Sequence, residues 1–241
     1  MIEVKDLTKR YGEFLALKGV SFSIPKGEVV GLLGPNGAGK TTTMKILTTF
    51  LRPSSGKVTI GGFDVVGQAD EVRRRIGYLP EHPPLYPELR VREYLRFAAQ
   101  LRGIEKSKVE RAIEQVLTSC VLTSVTNKLC GQLSRGYRQR VGLAQALIHE
   151  PDVIILDEPT SGLDPTQIVE IRKTIAGLKE KHTVILSTHI LPEVAQTCSN
   201  VVIIANGRIV ISGLLSELTS SRTLEERFLE AVSTDNLGAP E

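Results

Sequence analysis

Cysteines are few in this 241-residue sequence, and long apolar segments are absent from it. Its three cysteines, Cys120, Cys130 and Cys198, are an odd number without Cys-x-x-Cys spacing, which argues against a zinc site and a disulfide framework. No apolar run approaches the roughly 18 to 20 residues that span a bilayer, and the start does not have a signal peptide's basic-then-apolar order. We therefore expect a soluble chain with reduced thiols, whose membrane role, if any, depends on a partner.

Net charge is also small. Thirty Lys and Arg residues face 27 Asp and Glu residues, which leaves a formal charge of +3. This excess is too small for nucleic acid or an anionic membrane to be the main partner, so no nucleic acid is expected. With 41% hydrophobic and 24% charged residues the composition is that of an ordinary globular protein, and the length allows one large domain or two modest lobes.

Short apolar runs, typical of strands, alternate along the chain with segments in which apolar residues recur at helical spacing. Strands are predicted at residues 2–7, 20–24, 28–33, 57–60, 76–79, 153–156 and 183–186, with a hairpin around Asn206-Gly207. Helices are predicted from residue 40 and at 168–178, and residues 87–150 are mostly helical. Because the alternation resumes after this segment, the pattern predicts an α/β fold with a helical insertion. A short helix through Leu224, Phe228 and Leu229 and a frayed tail at 233–241 are expected to end the chain.

A phosphate-binding loop is predicted between the third strand and the helix that follows it. The segment matches G-x-x-x-x-G-K-[ST] and consists of Gly34, Pro35, Asn36, Gly37, Ala38, Gly39, Lys40 and Thr41. Backbone amides and the helix N-terminus favour phosphate oxygens, while Lys40 reaches the β- and γ-phosphates and the Thr41 hydroxyl ligates Mg²⁺. Thr42 is placed to support the α-phosphate. The alternative is a Gly-rich turn that merely caps a helix.

Two adjacent carboxylates, Asp157 and Glu158, end a strand that is apolar throughout. Such a pair is costly unless a cation offsets its charge, and Mg²⁺ is the natural cation beside a phosphate loop. Alternation along the strand end points the two side chains in different directions. We therefore expect Asp157 to serve the metal through water and Glu158 to act as general base, the alternative being two solvated acids that begin a loop.

Residues 133–140 precede an amphipathic helix, and Ser134 is placed as its N-cap. Alone, this octet indicates only a helix start. Between a phosphate loop (Walker A) and a carboxylate pair (Walker B), however, it resembles the LSGGQ signature of ABC-type ATPases. The resemblance covers about residues 1–215.

The resemblance implies roles for further residues. Tyr11 resembles the aromatic that stacks on adenine, residues 161–164 resemble the D-loop with Asp164, and His189 resembles the switch histidine that contacts the γ-phosphate. Each also has a plain alternative: a surface aromatic, an N-cap before Pro165, and a core histidine at a strand end.

The fold and domain limits are implied as well. The family has a P-loop NTPase core, RecA-like with a mostly parallel sheet, together with an N-terminal antiparallel β subdomain and an inserted helical subdomain. We expect an ABC ATPase domain at residues 1–215 with its helical subdomain at about 87–150, and a short C-terminal helix and tail at 216–241.

Two departures from the family pattern bear on mechanism. Glu81 stands where the Q-loop glutamine is usual, and the signature has Arg135 and Tyr137 at two of its positions. A carboxylate at position 81 still binds Mg²⁺ or its water, so we expect altered metal affinity or coupling with retained turnover. Both features resemble a branch of exporter ATPases that includes the gliding-motility and multidrug types.

The resemblance also implies partners. Two chains, identical or different, meet head to tail, so that ATP on the Lys40 side of one is closed by Ser134 and Gly136 of the other. A separate permease is expected to hold the pair at the cytoplasmic face of the membrane, with a cytoplasmic helix in a groove near residues 81–86 and the helical lobe. Export is the expected direction. The main alternative is a soluble ABC ATPase acting on ribosomes or DNA. A P-loop kinase or GTPase is disfavoured by the signature and by the absence of a base-reading Asn-Lys-x-Asp motif.

Overall fold

The computed structural model describes residues 1–179 and 181–237. Within them the chain forms two sheets. The strands are β1 (Ile2–Tyr11), β2 (Phe14–Ile24), β3 (Val29–Leu33), β4 (Ser55–Ile60), β5 (Phe63–Asp64), β6 (Ile76–Leu79), β7 (Val153–Asp157), β8 (Thr183–Thr188), β9 (Asn200–Ala205) and β10 (Arg208–Leu214).

Helices cover both faces of the larger sheet. They are α1 (Lys40–Leu47), α2 (Ala69–Arg75), α3 (Val91–Leu101), α4 (Val109–Ser119), α5 (Arg135–Leu147), α6 (Pro165–Ala176), α7 (Leu191–Thr197), α8 (Leu215–Leu218) and α9 (Leu224–Leu237). Among the described residues, no helix has the length and apolar character needed to cross a membrane.

The larger sheet has the strand order β10-β9-β3-β8-β7-β6 and is parallel except for the β9–β10 hairpin. Every residue of β3, β7 and β8 is buried, as expected for central parallel strands covered on both faces. The smaller sheet, β2-β1-β4-β5, is antiparallel. This confirms the predicted α/β fold with an antiparallel N-terminal sheet.

Alternation along β3 divides the core in two. Val30 and Leu32 pack with the smaller sheet and α1, whereas Val29 and Leu33 pack with α3, α4 and α5. Because β3, β7 and β8 are parallel, their carboxyl ends meet at one edge of the sheet, where open α/β sheets bind ligands.

Several bounds differ from the sequence prediction. The first hairpin reaches Tyr11 and Phe14, because ladder pairing carries the strands past the apolar run into polar residues such as Lys9. Neither β5 nor α2 was predicted, since one has two residues and the other buries only Val72. The prediction that a frayed tail begins at residue 233 is wrong, because α9 continues to Leu237. Residues 238–241 lie outside the described part of the chain.

Candidate active site

The loop between β3 and α1 is shaped by close backbone approaches. A Cβ on Gly34 would lie 2.2 Å from the Ile204 carbonyl oxygen, so only glycine fits there. Gly39, with φ of 110°, turns the chain into α1 in a conformation that side chains rarely adopt. No side chain caps α1, and its first turn contains no acid, so its amides remain available to an anion.

Lys40 lies at the mouth of this loop and is only 6% exposed. Its Nζ donates to the carbonyl oxygens of Gly34 at 2.7 Å and Pro35 at 3.2 Å, and it lies 3.8 Å from Glu158 Oε1. Burial lowers the pKa of Lys40, while Glu158 and Asp157 raise it. The ammonium is thus held between the loop and the carboxylates that end β7.

Asp157 lies in the interior at the end of β7, 4% exposed. Ser187, on the neighbouring strand β8, donates its hydroxyl to Asp157 Oδ1 at 2.5 Å. Burial raises the pKa of Asp157; the Ser187 hydrogen bond opposes this shift, and Glu81 adds to it. A cation beside Asp157 would therefore relieve a real electrostatic cost.

Glu158 is held in an unusual conformation. Its φ is 47°, in the left-handed region, and its backbone N–H donates to the Ser187 carbonyl oxygen at 3.2 Å and hydroxyl at 3.1 Å. Its Oε2 lies 2.9 Å from His189 Nδ1. Burial raises the pKa of Glu158, and the His189 hydrogen bond opposes that rise. A carboxylate with a raised pKa and a histidine partner is suited to accept a proton from water.

These groups converge on one cleft of about 470 Å³, a volume typical of small-ligand sites. Its lining residues are Tyr11, Phe14, Ala16, Asn36, Gly37, Gly39, Lys40, Thr41, Thr42, Glu81, Glu158, Ser161 and His189. The structure thus brings most of the residues predicted from the two sequence motifs together with Tyr11, Glu81 and His189.

Other predicted residues lie outside the cleft. Gly34, Pro35 and Ala38 form the inner side of the loop, and Asp157 lies beneath the surface. The described lining of the cleft does not include Ser134, Gly136 or Asp164. Instead, Ser134 Oγ accepts from the Tyr137 N–H at 3.4 Å and caps α5, and Asp164 accepts from the Gln167 N–H at 3.0 Å and caps α6.

Three residues in or beside the cleft were not predicted from the sequence: Phe14, Ser161 and Ser187. Phe14, 65% exposed, pairs with Tyr11 across the first hairpin, a position that the strand pairing alone would have revealed. Ser161 donates its hydroxyl to Glu81 Oε1 at 3.3 Å. Ser187, which touches both Asp157 and Glu158, precedes His189 by two residues, but nothing in its spacing signals this role.

The signature segment packs against the D-loop of the same chain. A Cβ on Gly162 would lie 2.3 Å from Arg135 Nη1, so the guanidinium rests on that glycine. One turn further along α5, the buried Arg140 forms an ion pair with Glu170 of α6. The arginine that replaces the family's glycine therefore contacts the loop that follows Glu158.

Comparison with known families agrees with this geometry. The family model described as ABC transporter matches residues 17–161, more than half of the chain. The chain belongs to the ABC transporter family. It is accordingly an ATP-hydrolysing subunit of the ABC type.

Two relatives illustrate the similarity of this ABC ATPase to others. It is 43% identical over 218 residues to the ABC transporter ATP-binding protein YxlF of Bacillus subtilis, covering 90% of this chain and 72% of the relative. It is 42% identical over 212 residues to the bacitracin transport ATP-binding protein BcrA of Bacillus licheniformis, covering 87% and 68%.

A solved structure shows the same architecture. A dimeric ATP-binding cassette in a post-hydrolysis state, bound to ADP and Pi, superposes on this ABC ATPase with a TM-score of 0.80 at 28% identity. The match covers 89% of this chain and 98% of the other. The P-loop NTPase core with its two additional subdomains is therefore confirmed.

Proposed function

We propose that two copies of this ABC ATPase close head to tail around ATP, and that hydrolysis reopens them to drive export through a separate permease. One observation carries this proposal. Lys40, Glu158 and His189 meet in one cleft, whereas Ser134 and Gly136, which the signature supplies, lie elsewhere on the same chain.

Nucleotide binding follows from the groups around the cleft. Tyr11 and Phe14 offer exposed aromatic faces at one end, where a base can stack. Amides of the loop and the first turn of α1 face the phosphates, with Lys40 as the cation for the terminal ones and Thr42 near the α-phosphate. The cleft thus has an apolar end for adenine and a cationic end for the triphosphate.

Hydrolysis uses the carboxylate and histidine at the strand ends. Glu158 Oε2 accepts the proton of the attacking water, and His189, 2.9 Å away, orients the carboxylate and contacts the γ-phosphate. Lys40 compensates charge that develops on the phosphate oxygens. Loss of the γ-phosphate removes these contacts, which allows the two chains to separate.

The donor set fits Mg²⁺. Thr41 and Glu81 line the cleft, and Asp157 lies behind it with its pKa raised partly by Glu81, so oxygen donors of the kind that Mg²⁺ prefers are present on this side of the cleft. In the described residues no cluster of three or more His, Cys, Asp or Glu side chains forms a metal site alone. Mg²⁺ typically binds one or two carboxylates together with substrate phosphates, where it stabilises the transferred charge.

A groove between the sheet and the helical subdomain supports the permease contact. Its lining comprises Thr48, Thr49, Phe50, Asp70, Arg73, Arg74, Ile76, Tyr78, Leu101, Arg102, Gly103, Ile104 and His149. Phe50 is 80% exposed and Leu101 is 70% exposed, beside three arginines. An amphipathic permease helix with acidic residues would fit this surface. None of the residues 81–86, where the contact was expected, is among the described residues of this lining.

Export, and a position at the cytoplasmic face of the membrane, are supported by the relatives of this chain. One relative's name assigns it to bacitracin transport, and the family model is that of ABC transporters. A non-transport role on ribosome or DNA is not favoured, because nothing in these similarities or in the net charge of +3 points to nucleic acid.

The catalytic assignment is tested with Glu158→Gln. The amide cannot accept the proton, so hydrolysis is expected to fall by about 10²-fold or more while ATP binding persists. The variant should also accumulate as an ATP-bound dimer in size-exclusion chromatography. Glu217→Gln on α8 makes the same charge change on an exposed surface and serves as the control. Wild-type turnover in Glu158→Gln would refute the assigned base.

The permease contact is tested with Phe50→Asp. A charge in place of the exposed ring should prevent co-purification of a membrane-spanning partner from native membranes and abolish its effect on ATPase rate, with basal hydrolysis unchanged. Val121→Asp is the matched control, because Val121 is also exposed, at 57%, but lies outside the groove. Unimpaired partner capture by Phe50→Asp would place the permease elsewhere.

A further inference from the structure

A buried carboxylate that takes no part in the mechanism above lies behind the catalytic residues. Glu193, in the first turn of α7, is 3% exposed. Its Oε1 accepts a hydrogen bond from the Thr160 hydroxyl, and its Oε2 accepts one from the Thr188 hydroxyl at 2.8 Å. Both threonines are buried as well, at 3% and 0% exposure.

Each of these two threonines lies next to, or two residues from, one member of the pair Glu158 and His189 in the sequence. Thr160 follows Glu158 by two residues, and Thr188 directly precedes His189. The pair meets in the cleft at 2.9 Å, whereas Glu193 is not part of the described cleft lining and joins the same two loops on the interior side. In addition to the ladder and the hydrogen bonds of Ser187, the ends of β7 and β8 are therefore connected at the surface by Glu158 and His189 and in the core through Glu193.

A purely structural role for Glu193 is disfavoured by the free energy needed to bury its carboxylate. A buried carboxylate without a cation loses its hydration, and in the part of the chain that the structure describes Glu193 forms no ion pair. An apolar residue would fill the same space at lower cost. A fully hydrogen-bonded buried network instead fixes one arrangement of the groups around it.

The loop that contains Thr160 also contains Glu158, whose backbone is strained. Glu158 has φ of 47°, and the next turn is closed by the Ser161 N–H donating to the Glu158 carbonyl oxygen at 3.1 Å. Such a conformation persists only when its surroundings fix it. Thr160 lies inside this turn, so a hydrogen bond from Thr160 to the protein core restrains the carboxylate of Glu158 from behind.

We propose that Glu193 is a positioning residue for ATP hydrolysis, which bridges Thr160 and Thr188 and so keeps Glu158 and His189 in contact. The proposal rests on the roles given above to Glu158 and His189. Glu193 is not among the described residues that line the cleft. It acts on the chemical step, because small displacements of a general base lower the rate more than they weaken binding.

The decisive variant removes both partners of each Glu193 hydrogen bond. The Ile190 N–H, which donates to Thr188 Oγ1 at 3.1 Å, also loses its acceptor, at a half-buried position. Glu193→Leu combined with Thr160→Val and Thr188→Val replaces three hydrogen-bonded side chains by apolar ones of similar shape, which costs little stability. We expect a thermal midpoint near that of the wild type, KM for ATP within about twofold, and a single-turnover hydrolysis rate lowered about tenfold or more. A wild-type single-turnover rate in this folded variant would overturn the proposal.

A second variant covers the case in which the triple variant does not fold. Glu193→Gln keeps the volume and one acceptor oxygen, so part of the bridge survives. Its kcat is expected between those of the wild type and Glu193→Leu, with KM unchanged. If Glu193→Gln and Glu193→Leu reduce kcat only in proportion to the folded fraction, measured by thermal unfolding in the presence of MgATP, the role is structural and the proposal fails.

Thr183→Val is the matched control. Thr183 is equally buried, lies at the opposite end of β8, and accepts a hydrogen bond from the Gly27 N–H at 2.9 Å. It should lose stability and keep kcat, whereas Thr188→Val should lose kcat. Glu158→Gln, measured beside these variants, separates the two hypotheses. Full turnover in Glu158→Gln would refute the catalytic assignment, and full turnover in the triple variant would refute only the bridge.

Discussion

Glu81 lies at the edge of the cleft, where Ser161 donates to its Oε1 and its charge helps raise the pKa of Asp157. The usual glutamine in the family would bring no charge. An additional carboxylate near the proposed Mg²⁺ position would strengthen the attraction for a divalent cation, because opposite charges within a Debye length are only partly screened by salt. Residue 81 is therefore expected to set how much Mg²⁺ the enzyme needs.

This predicts the outcome of Glu81→Gln. Hydrolysis at saturating Mg²⁺ should remain, because neither Glu158 nor Lys40 changes, while the Mg²⁺ concentration for half-maximal activity rises. A Mg²⁺ titration at fixed ATP measures the shift. Glu88→Gln, seven residues further on and outside the described cleft lining, should leave the titration curve in place. An inactive but folded Glu81→Gln enzyme would contradict the expected role.

At the scale of residues, local spacing indicated the phosphate loop and the carboxylate pair because their chemistry is concentrated in consecutive positions. Ser187, Thr160 and Glu193 could not be predicted in this way. Each acts through a partner on another strand or helix, and a serine or glutamate in an apolar stretch has no local signal for the partner that will satisfy it.

At the scale of elements, strands β3 and β7 were predicted within one residue because central parallel strands are apolar throughout. Edges were harder to predict. The first hairpin continues through polar residues, since pairing with β2 holds residues that burial does not. The last helix includes residues 233–237, whose Ser, Thr, Asp and Asn are weak helix formers, and propensity alone therefore ended it too early.

One contact between elements has a pH dependence. His149, just beyond α5, donates from Nε2 to the Ile76 carbonyl oxygen of β6 at 3.0 Å, which ties the helical subdomain to the large sheet. Burial, together with a smaller contribution from the nearby Arg102, lowers the pKa of His149 to about 4, and the hydrogen bond to Ile76 opposes this shift. An unfolded histidine titrates near 6.5, so between these values the unfolded chain binds a proton that the folded chain does not.

The protein should consequently lose stability as the pH falls from about 6.5 towards 4, and this group should have no effect at higher pH. His149→Gln keeps a donor for Ile76 and cannot titrate, so its thermal midpoint should fall less than that of the wild type over the same range. The measurement is a series of melting curves between pH 7.5 and 4.5, a window of about three units chosen to cover that titration. His82→Gln changes an exposed histidine instead. Parallel curves for wild type and His149→Gln would show that the contact does not sense pH.

At the scale of the whole molecule, one chain holds the cleft proposed for ATP and, separately, the signature proposed to close the cleft of a second chain. Moving a two-state equilibrium from mostly open to mostly closed takes about 5.5 kcal/mol. Hydrogen bonds to charged groups contribute about 1.5 to 3 kcal/mol each, and two sites between the chains supply several. We therefore expect nucleotide binding to close the dimer, and a single chain that hydrolysed ATP at the full rate while pairing was blocked would refute the arrangement.

The composite site predicts complementation between two inactive variants. Lys40→Ala disables the phosphate side of a site, and Ser134→Asp disables the signature side while aspartate keeps the N-cap of α5. In a mixed dimer both defects fall in one site and leave the other intact. With random pairing the mixture should recover about a quarter of wild-type activity, because half of the dimers each have one working site of two.

The matched control pairs two defects on the same side. In a mixture of Lys40→Ala and Glu158→Gln, each site of a mixed dimer keeps one defective phosphate side, so no activity should return. Steady-state ATPase assays on variants mixed after a brief dissociation step measure both cases. No recovery in either mixture is the result expected if Lys40 and Ser134 act within one chain, whereas equal recovery in both would mean that Lys40 and Glu158 do not share one side of a site. Either result would contradict the head-to-tail arrangement.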